Sequence, residues 1–185
     1  SSTCAPLTYG TTQQLNSVWG SDAANVYVVG LNGTVLRCAS GSSTCTPLTS
    51  SETKHLNSVW GSDAGSVYTV GLGGVVVRCA SESITCTLLT SGTSQHFNSV
   101  WGSNRTNVYA VGTAGAVVRC AAGSGTCTPL TSGTGQTLYS VWGSDAANVY
   151  AVGSGGVVVR CAAGADSCTR LTSGTTYSYR VCLTT

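Results

Sequence analysis

The chain repeats itself with a fixed step of 41 residues, and this repeat constrains its fold more than any other feature. Each repeat contains a Trp-Gly-Ser triplet, and no insertion or deletion changes the spacing of the four tryptophans, Trp19, Trp60, Trp101 and Trp142. Two glycines and two cysteines recur in every unit with the same step. A period of about 40 to 45 residues without long helical patterns is typical of the blades of a β-propeller.

Each repeat is predicted to contain four short strands. In the first unit these are residues 15–20, 26–29, 35–38 and 44–49, which are rich in β-branched, aromatic and alternating apolar residues. Turn-forming residues separate them at 21–25, 30–33 and 39–43. One unit is therefore predicted to be a four-stranded antiparallel meander.

The four complete units predict an all-β protein, a closed four-bladed β-propeller at the lower limit of the usual blade number. We expect one domain over residues 1–185, with repeats at 10–50, 51–91, 92–132 and 133–173. Residues 1–9 match the end of a repeat and predict a spare strand, and residues 174–185 begin a fifth unit and predict a terminal strand. The alternative is a five-bladed ring in which the two ends form a reduced fifth blade.

Eight of the ten cysteines lie in repeat register and predict one disulfide in each blade. The two cysteines of a unit are seven residues apart and flank a short turn, so they can face each other across a hairpin. Closing so short a loop contributes about 2.5 kcal/mol before strain. A zinc site would need closer cysteines and more histidines. The predicted pairs are Cys38 with Cys45, Cys79 with Cys86, Cys120 with Cys127 and Cys161 with Cys168.

Cys4 and Cys182 remain outside these pairs and look like the two members of a fifth disulfide. They could bond within one chain and draw its two ends together. They could also link the tail of one copy to the start of the next, and a head-to-tail contact that does not close on itself makes a filament. Both alternatives remain open at this point, and we favour the second.

The composition limits the classes of partner. Only 8% of the residues are charged and the formal net charge is +2, so the clustered basic residues that bind nucleic acid or acidic membranes are missing. No apolar run approaches the roughly 18 residues of a membrane span. The even cysteine count, the first residue Ser1 and the lack of methionine lead us to expect a secreted, extracellular protein from which a signal segment has been removed.

The recurring polar and aromatic residues each have a structural and a functional interpretation. The tryptophans could be stacking platforms for sugars, but we favour packing between blades. A ring of arginines at 37, 78, 119 and 160 could bind an anion, but we favour pairing with the acidic or amide residues at 22, 63, 104 and 145.

The two histidines and two of the asparagines also have two interpretations. His55 and His96 could be ligands or general bases, but we favour solvated loop residues. Asn32 and Asn104 match the glycosylation pattern, but turns favour asparagine in any case.

No motif for catalysis or cofactor binding is present in the sequence. The six acidic residues do not form the pair that a glycosidase needs, and no nucleophile elbow, phosphate-binding loop or dinucleotide fingerprint occurs. We therefore expect no enzyme, no catalytic residue, no metal and no cofactor.

The segments Ser17–Ser21, Asn25–Gly30 and Gly33–Arg37 resemble the W-G-S…V-Y-A-V-G…G-x-V repeats of secreted bacterial β-propeller proteins. The resemblance covers about nine tenths of the chain. Such propellers serve as lectins, adhesion modules and scaffolds, so the fold alone does not choose among these functions. The low charge leads us to expect a non-catalytic structural or assembly module whose partners are copies of itself, joined head to tail as a filament. The alternative is a glycan-binding lectin or adhesin.

Overall fold

The computed structural model describes residues 10–172, which form sixteen strands in four sheets. Blade 1 contains β1 (Leu15–Asp22), β2 (Asn25–Gly30), β3 (Val35–Cys38) and β4 (Cys45–Leu48). Blade 2 contains β5 (Leu56–Asp63), β6 (Ser66–Gly71), β7 (Val76–Cys79) and β8 (Thr87–Leu89). Blade 3 contains β9 (Phe97–Asn104), β10 (Asn107–Gly112), β11 (Val117–Cys120) and β12 (Cys127–Leu130). Blade 4 contains β13 (Leu138–Asp145), β14 (Asn148–Gly153), β15 (Val158–Cys161) and β16 (Thr169–Leu171).

Every blade is an antiparallel meander in which strands adjacent in sequence are adjacent in the sheet. The first strand runs further than predicted, because a bulge between Gly20 and Asp22 lets Asp22 pair with Asn25. The first turn is consequently only two residues long. The Asp22 carboxylate stabilises it by accepting a hydrogen bond from the Ala24 N–H at 2.7 Å.

A disulfide joins the third strand of each blade to the segment that follows it. The four bonds are Cys38–Cys45, Cys79–Cys86, Cys120–Cys127 and Cys161–Cys168. The predicted all-β architecture of four blades, each a four-stranded meander stapled by a disulfide, is therefore confirmed.

The apolar core lies between blades rather than within them. Each of three clusters combines one face of a blade with the opposite face of the next, and a tryptophan of the earlier blade packs at its edge. The first strands carry the main contact, since β1 packs on β5, β5 on β9 and β9 on β13. No comparable packing joins β13 back to β1 within residues 10–172.

The described residues therefore form an arc of four blades that they do not themselves close into a ring. The predicted spare strands, and with them Cys4 and Cys182, lie outside residues 10–172, as does the reduced fifth blade of the alternative fold. Among the residues that the structure describes, no helix has the length and apolar character needed to cross a membrane.

Candidate functional site

A tryptophan packed against a glycine marks each of the three junctions between blades. The rings of Trp19, Trp60 and Trp101 lie over a glycine in the first strand of the following blade. A Cβ atom would lie 2.5 Å from the ring of Trp19 at Gly61, 2.6 Å from that of Trp60 at Gly102 and 2.8 Å from that of Trp101 at Gly143. No side chain fits at such distances, so the close approach of the indole requires glycine.

Polar contacts repeat at the same three junctions with the same geometry. At the first junction the Asn16 side-chain amide donates to the Leu56 carbonyl at 2.8 Å, and the Val59 N–H donates to Ser17 Oγ at 3.2 Å. The equivalent bonds at the second and third junctions are 2.8 Å for the amide and 3.2 and 3.3 Å for the serine. One junction is thus a defined set of contacts that the repeat reproduces.

The residue after the fourth strand also crosses to the next blade. Thr49, predicted to belong to its own blade, instead forms an isolated bridge with Thr85, and its carbonyl accepts from the Cys86 N–H at 2.7 Å. The same pattern joins residue 90 to 126 and residue 131 to 167. Backbone pairing at the outer rim therefore adds to the apolar packing further in.

The outer face of blade 4 carries the tryptophan side of a junction without a partner blade in the described residues. Trp142 is 62% exposed, Val152 46% and Leu171 41%, whereas the residues equivalent to Val152 and Leu171 in blades 1 to 3 are buried. We name this the trailing face, and it comprises Trp142, Tyr150, Val152, Val158 and Leu171.

The outer face of blade 1 carries the glycine side of a junction. Val18 is 65% exposed, whereas its equivalents Val59, Val100 and Val141 are each 6% exposed. At Gly20 a Cβ atom would meet Val26 Cγ2 at 3.2 Å and no tryptophan ring. We name this the leading face, and it comprises Leu15, Val18, Gly20, Val26 and Val28.

The two end faces are therefore the two halves of one more junction. Neither contains a charged residue, and each matches in repeat register a face that is covered elsewhere in the same chain. Two positions differ from the internal junctions. Val28 stands where the other blades have threonine or alanine, and Tyr139, whose side chain is exposed, stands where they have the asparagine that donates across the junction. A surface that is apolar at its centre and polar at its rim is suited to binding another protein chain.

The predicted pairing of arginines with aspartates is wrong. Arg37 donates to the Ser81 carbonyl and Arg119 to the Ala165 carbonyl, so in both cases the guanidinium reaches the backbone of the next blade. Arg160 has no following blade in the described residues and donates instead to its own blade, to Asn148 Oδ1 at 2.8 Å. None of these three bonds is made to a turn aspartate.

The aspartates are occupied by their own turns. Hydrogen bonds from Ser21 and Asn25 lower the pKa of Asp22 below its usual value of 3.8. Asn148, the Ala147 N–H and Ser144 do the same for the pKa of Asp145. Both carboxylates are fully exposed, so these bonds organise the turn and do not create a buried acid.

Both histidines lie in the loop before the first strand of their blade, as predicted, with His96 exposed and His55 partly buried. His55 Nδ1 accepts a hydrogen bond from the Asn32 N–H at 3.2 Å, and His96 Nδ1 accepts one from the Gly73 N–H at 2.8 Å. Each histidine therefore links its own blade to the short turn of the blade before it. The sequence signal was their identical place in two repeats, but the partner lies in another repeat.

Tyrosine hydroxyls also cross the junctions. Tyr27 donates to the Ala64 carbonyl at 3.3 Å and Tyr68 to the Arg105 carbonyl at 3.4 Å. Burial raises the pKa of both tyrosines, so both hydroxyls stay protonated and remain donors at neutral pH. Tyr150 on the trailing face is their counterpart and is only partly buried.

A second kind of surface feature is a polar cleft at the outer rim that recurs at two junctions. The cleft beside Arg37 has a volume of about 360 Å³ and the one beside Arg119 about 410 Å³. Both contain the same set of repeat positions, namely Asn25, Arg37, Ser42, Thr44 and Thr46 in the first and Asn107, Arg119, Ser124, Thr126 and Thr128 in the other. Guanidinium, amide and hydroxyl groups of this kind can bind polar, oxygen-rich ligands.

Within residues 10–172, no three side chains of His, Cys, Asp or Glu are grouped so that they could hold a metal ion. Asn32 and Asn104, the two glycosylation candidates, are both exposed in turns. Asn32 adopts a left-handed conformation with φ of 54°, which explains the asparagine without glycosylation.

Comparison with known proteins bears on the fold. No family model matches the sequence, and no curated protein matches it. Among solved structures, the β-propeller protein YCF48 bound to D1 peptide matches with a TM-score of 0.66 and 15% identity, over 90% of this chain and 58% of that chain. YCF48 from Cyanidioschyzon merolae matches with a TM-score of 0.64 and 20% identity, over 82% of this chain and 51% of that chain. The chain thus spans little more than half the length of these neighbours, and the likeness shows the propeller fold.

Proposed function

We propose that this protein is a non-catalytic extracellular assembly module that joins copies of itself head to tail. The observation that carries the proposal is the pair of unpartnered end faces, which are the two halves of a junction that the chain forms three times internally. A surface that already packs on its complement in the same molecule needs no new chemistry to bind a second copy.

The apolar content of the end faces favours burial. Covering a side chain of the size of valine, leucine or tryptophan contributes about 1.5 to 3 kcal/mol when burial is complete. Burying the five residues of the trailing face against the residues of the leading face can therefore offset the cost of association, which is roughly 4 to 15 kcal/mol for the lost translational and rotational freedom. The apolar positions of the two faces carry no charge, so burying them desolvates no ion, and Arg160 lies at the rim of the contact, where its equivalents bond backbone carbonyls of the next blade.

Two further observations support this role. Four disulfides favour an oxidising compartment and hence secretion, and they hold the rim of each blade rigid, so that the end faces are ordered before contact. One structural neighbour is a YCF48 propeller bound to a peptide, which supports protein binding as a use of this fold.

The proposal is tested by sedimentation velocity of the full chain across a range of concentrations. We expect the average mass to rise above that of one chain, 18.6 kDa, and we expect Trp142→Asp to abolish the rise because it buries a charge at the contact. Gly125→Asp is the matched control, because a side chain at this position on the rim turn of blade 3 faces open space. A single species of monomer mass at all concentrations would count against self-assembly.

Covalent linkage through Cys4 and Cys182 is a separate part of the proposal, because those residues lie outside the described part of the chain. Non-reducing gel electrophoresis distinguishes the two alternatives. A ladder that collapses on reduction supports bonds between chains, and a monomer without free thiols supports a bond within the chain.

The second candidate function is glycan binding, which the repeated rim clefts favour. They offer an arginine, an asparagine and several hydroxyls, but no aromatic side chain for stacking on a sugar ring lines them. A glycan array would detect binding, and Arg119→Ala should then weaken it while Arg105→Ala, which lies outside the cleft lining, should not.

A further inference from the structure

We propose that a second copy of the chain completes the fourth junction, with Trp142 of one copy seated against Gly20 of the other, and that two copies close into a single ring of eight blades. This inference rests on the proposed function, because it specifies the register and stoichiometry of the same end-to-end contact.

The register follows from the repeat. The three internal junctions place a tryptophan of one blade over a glycine exactly 42 positions further along, as in Trp19 with Gly61 and Trp101 with Gly143. Applying the same step to Trp142 leads to position 184 in the terminal segment, where the sequence has threonine and not glycine, so the glycine that this register requires is supplied by Gly20 of a second copy. Gly20 has no indole over it in the described residues, and the nearest side-chain atom to its Cβ position belongs to Val26.

The polar groups of the two faces agree with the same register. Ser140 is exposed, and its equivalents Ser17, Ser58 and Ser99 each accept from a valine N–H of the following blade. Val18 is the corresponding valine on the leading face. In the ring, the Val18 N–H of one copy donates to Ser140 Oγ of the other.

Within the described residues, Arg160 also lacks the partner that its equivalents have in the following blade. Its equivalents Arg37 and Arg119 reach backbone carbonyls in the rim turn of the following blade. The corresponding turn for Arg160 is Ala39–Ser42 of a second copy, and in its absence the guanidinium bonds its own blade.

The stoichiometry follows from the architecture of propellers. Each junction adds one more similar rotation about a common axis, and closed propellers have about four to eight blades. Two copies supply eight, whereas a third copy would exceed that range. A two-chain ring uses both end faces of both copies, and its second junction forms within one complex, which strengthens the whole by effective concentration.

The experiment uses the full chain and two variants that each disable one face. Trp142→Ala removes the indole from the trailing face. Gly20→Ala places a methyl group where the indole of a second copy would lie, whereas its nearest neighbours within one chain are Val26 Cγ2 at 3.2 Å, the Asn25 carbonyl at 3.4 Å and Val26 Cα at 3.6 Å. Gly125→Ala, with nothing within 4 Å, is the control for an exposed glycine.

We expect sedimentation equilibrium to give twice the mass of one chain for the parent and for Gly125→Ala. Each disabling variant alone should dissociate at least about 30-fold more readily, which is typical of losing a central tryptophan. An equimolar mixture of the two variants should regain a dimer, because the trailing face of Gly20→Ala and the leading face of Trp142→Ala are both intact. Electron micrographs of the parent should show rings with eight blades.

The possible failures are distinguishable. A monomer at every concentration overturns both the proposed function and this inference. Species larger than two chains leave head-to-tail assembly standing and overturn the closed ring. A dimer that neither variant weakens, or variants that do not complement each other when mixed, overturns the Trp142–Gly20 register. Thermal melts of each variant show whether the monomer fold is intact, and Val18→Asp replaces Gly20→Ala should the latter unfold.

Discussion

Glycine at the centre of each junction is the residue on which the packing of two blades depends. The strand predicted from the sequence ends at this glycine, and in the structure Gly61, Gly102 and Gly143 lie within strands and are buried under an indole. Their backbone φ angles are not in the left-handed region, so the requirement is space and not conformation. Gly20 is the equivalent glycine of blade 1, and within the described residues no indole lies over it.

Gly102→Ala should therefore destabilise the fold. Its new methyl group would lie 2.6 Å from the Trp60 ring and 2.9 Å from the Asn107 carbonyl, so the blades must separate. We expect a loss of about 1 to 3 kcal/mol in the free energy of unfolding, measured with urea. Gly125→Ala is the control, and equal stability of the two variants would show that the junction can absorb a methyl group.

The turn aspartates should give a pH dependence of known sign. Because the folded state lowers the pKa of Asp145, the stabilisation is present above its usual value of 3.8 and is lost as the pH falls through the lower folded value. Asp145→Asn should remove this dependence yet keep the turn, since Asn104 already accepts from the Thr106 N–H at 2.9 Å in blade 3. Unfolding curves of parent and variant between pH 2 and pH 6 test this, and parallel pH profiles would contradict it.

The blade is the element that the sequence repeats, but it is not an independent folding unit. Its two faces are covered by different neighbours, and the apolar clusters each span two blades. Within the blade, the disulfide restrains the rim, where the fourth strand is only three or four residues long. A strand that short makes few ladder bonds, so the covalent link and the bridge to the next blade supplement them.

Removing one disulfide should weaken the protein without changing its fold. The double variant Cys79→Ala with Cys86→Ala deletes the bond of blade 2, whose cysteines are buried in the apolar cluster between blades 1 and 2. We expect a loss of about 2 to 4 kcal/mol in the free energy of unfolding under oxidising conditions. After full reduction the variant and the parent should converge, and a difference that survives reduction would mean that packing of the cysteines matters more than the bond.

At the scale of the whole molecule, the arc of four blades has the same chemistry at both ends as in its interior. Every internal face is covered, and each end face repeats one of them with its partner missing from the described residues. Among the polar contacts the exception is Tyr139, which replaces the asparagine that donates to a carbonyl across each internal junction. A contact between copies thus lacks one bond that every internal junction has, and this makes it weaker than the packing within the chain.

Tyr139→Asn should consequently tighten the contact between copies. The new amide can donate to the Leu15 carbonyl of a second copy, as Asn98 does to the Leu138 carbonyl at 2.8 Å. One such bond is worth about 1 kcal/mol, so the dissociation constant should fall about 5-fold. Tyr139→Phe lacks the amide and serves as the control, and an equal effect of both variants would point to the aromatic ring instead.

The sequence alone determined the blades, their number in the chain and their disulfide staples, because these depend on alternation, turn residues and cysteine spacing within about 41 residues. The tertiary structure decided what each repeated residue touches. Arg37 bonds a rim carbonyl rather than Asp22, His96 accepts from Gly73, and Thr49 pairs with the following blade. It also decided which faces are exposed. The repeat gives every blade the same two faces, and only the packing of the blades leaves Trp142 exposed while Trp101 is partly buried. Contacts between units about 40 residues apart depend on strand twist and blade rotation, which local sequence does not specify.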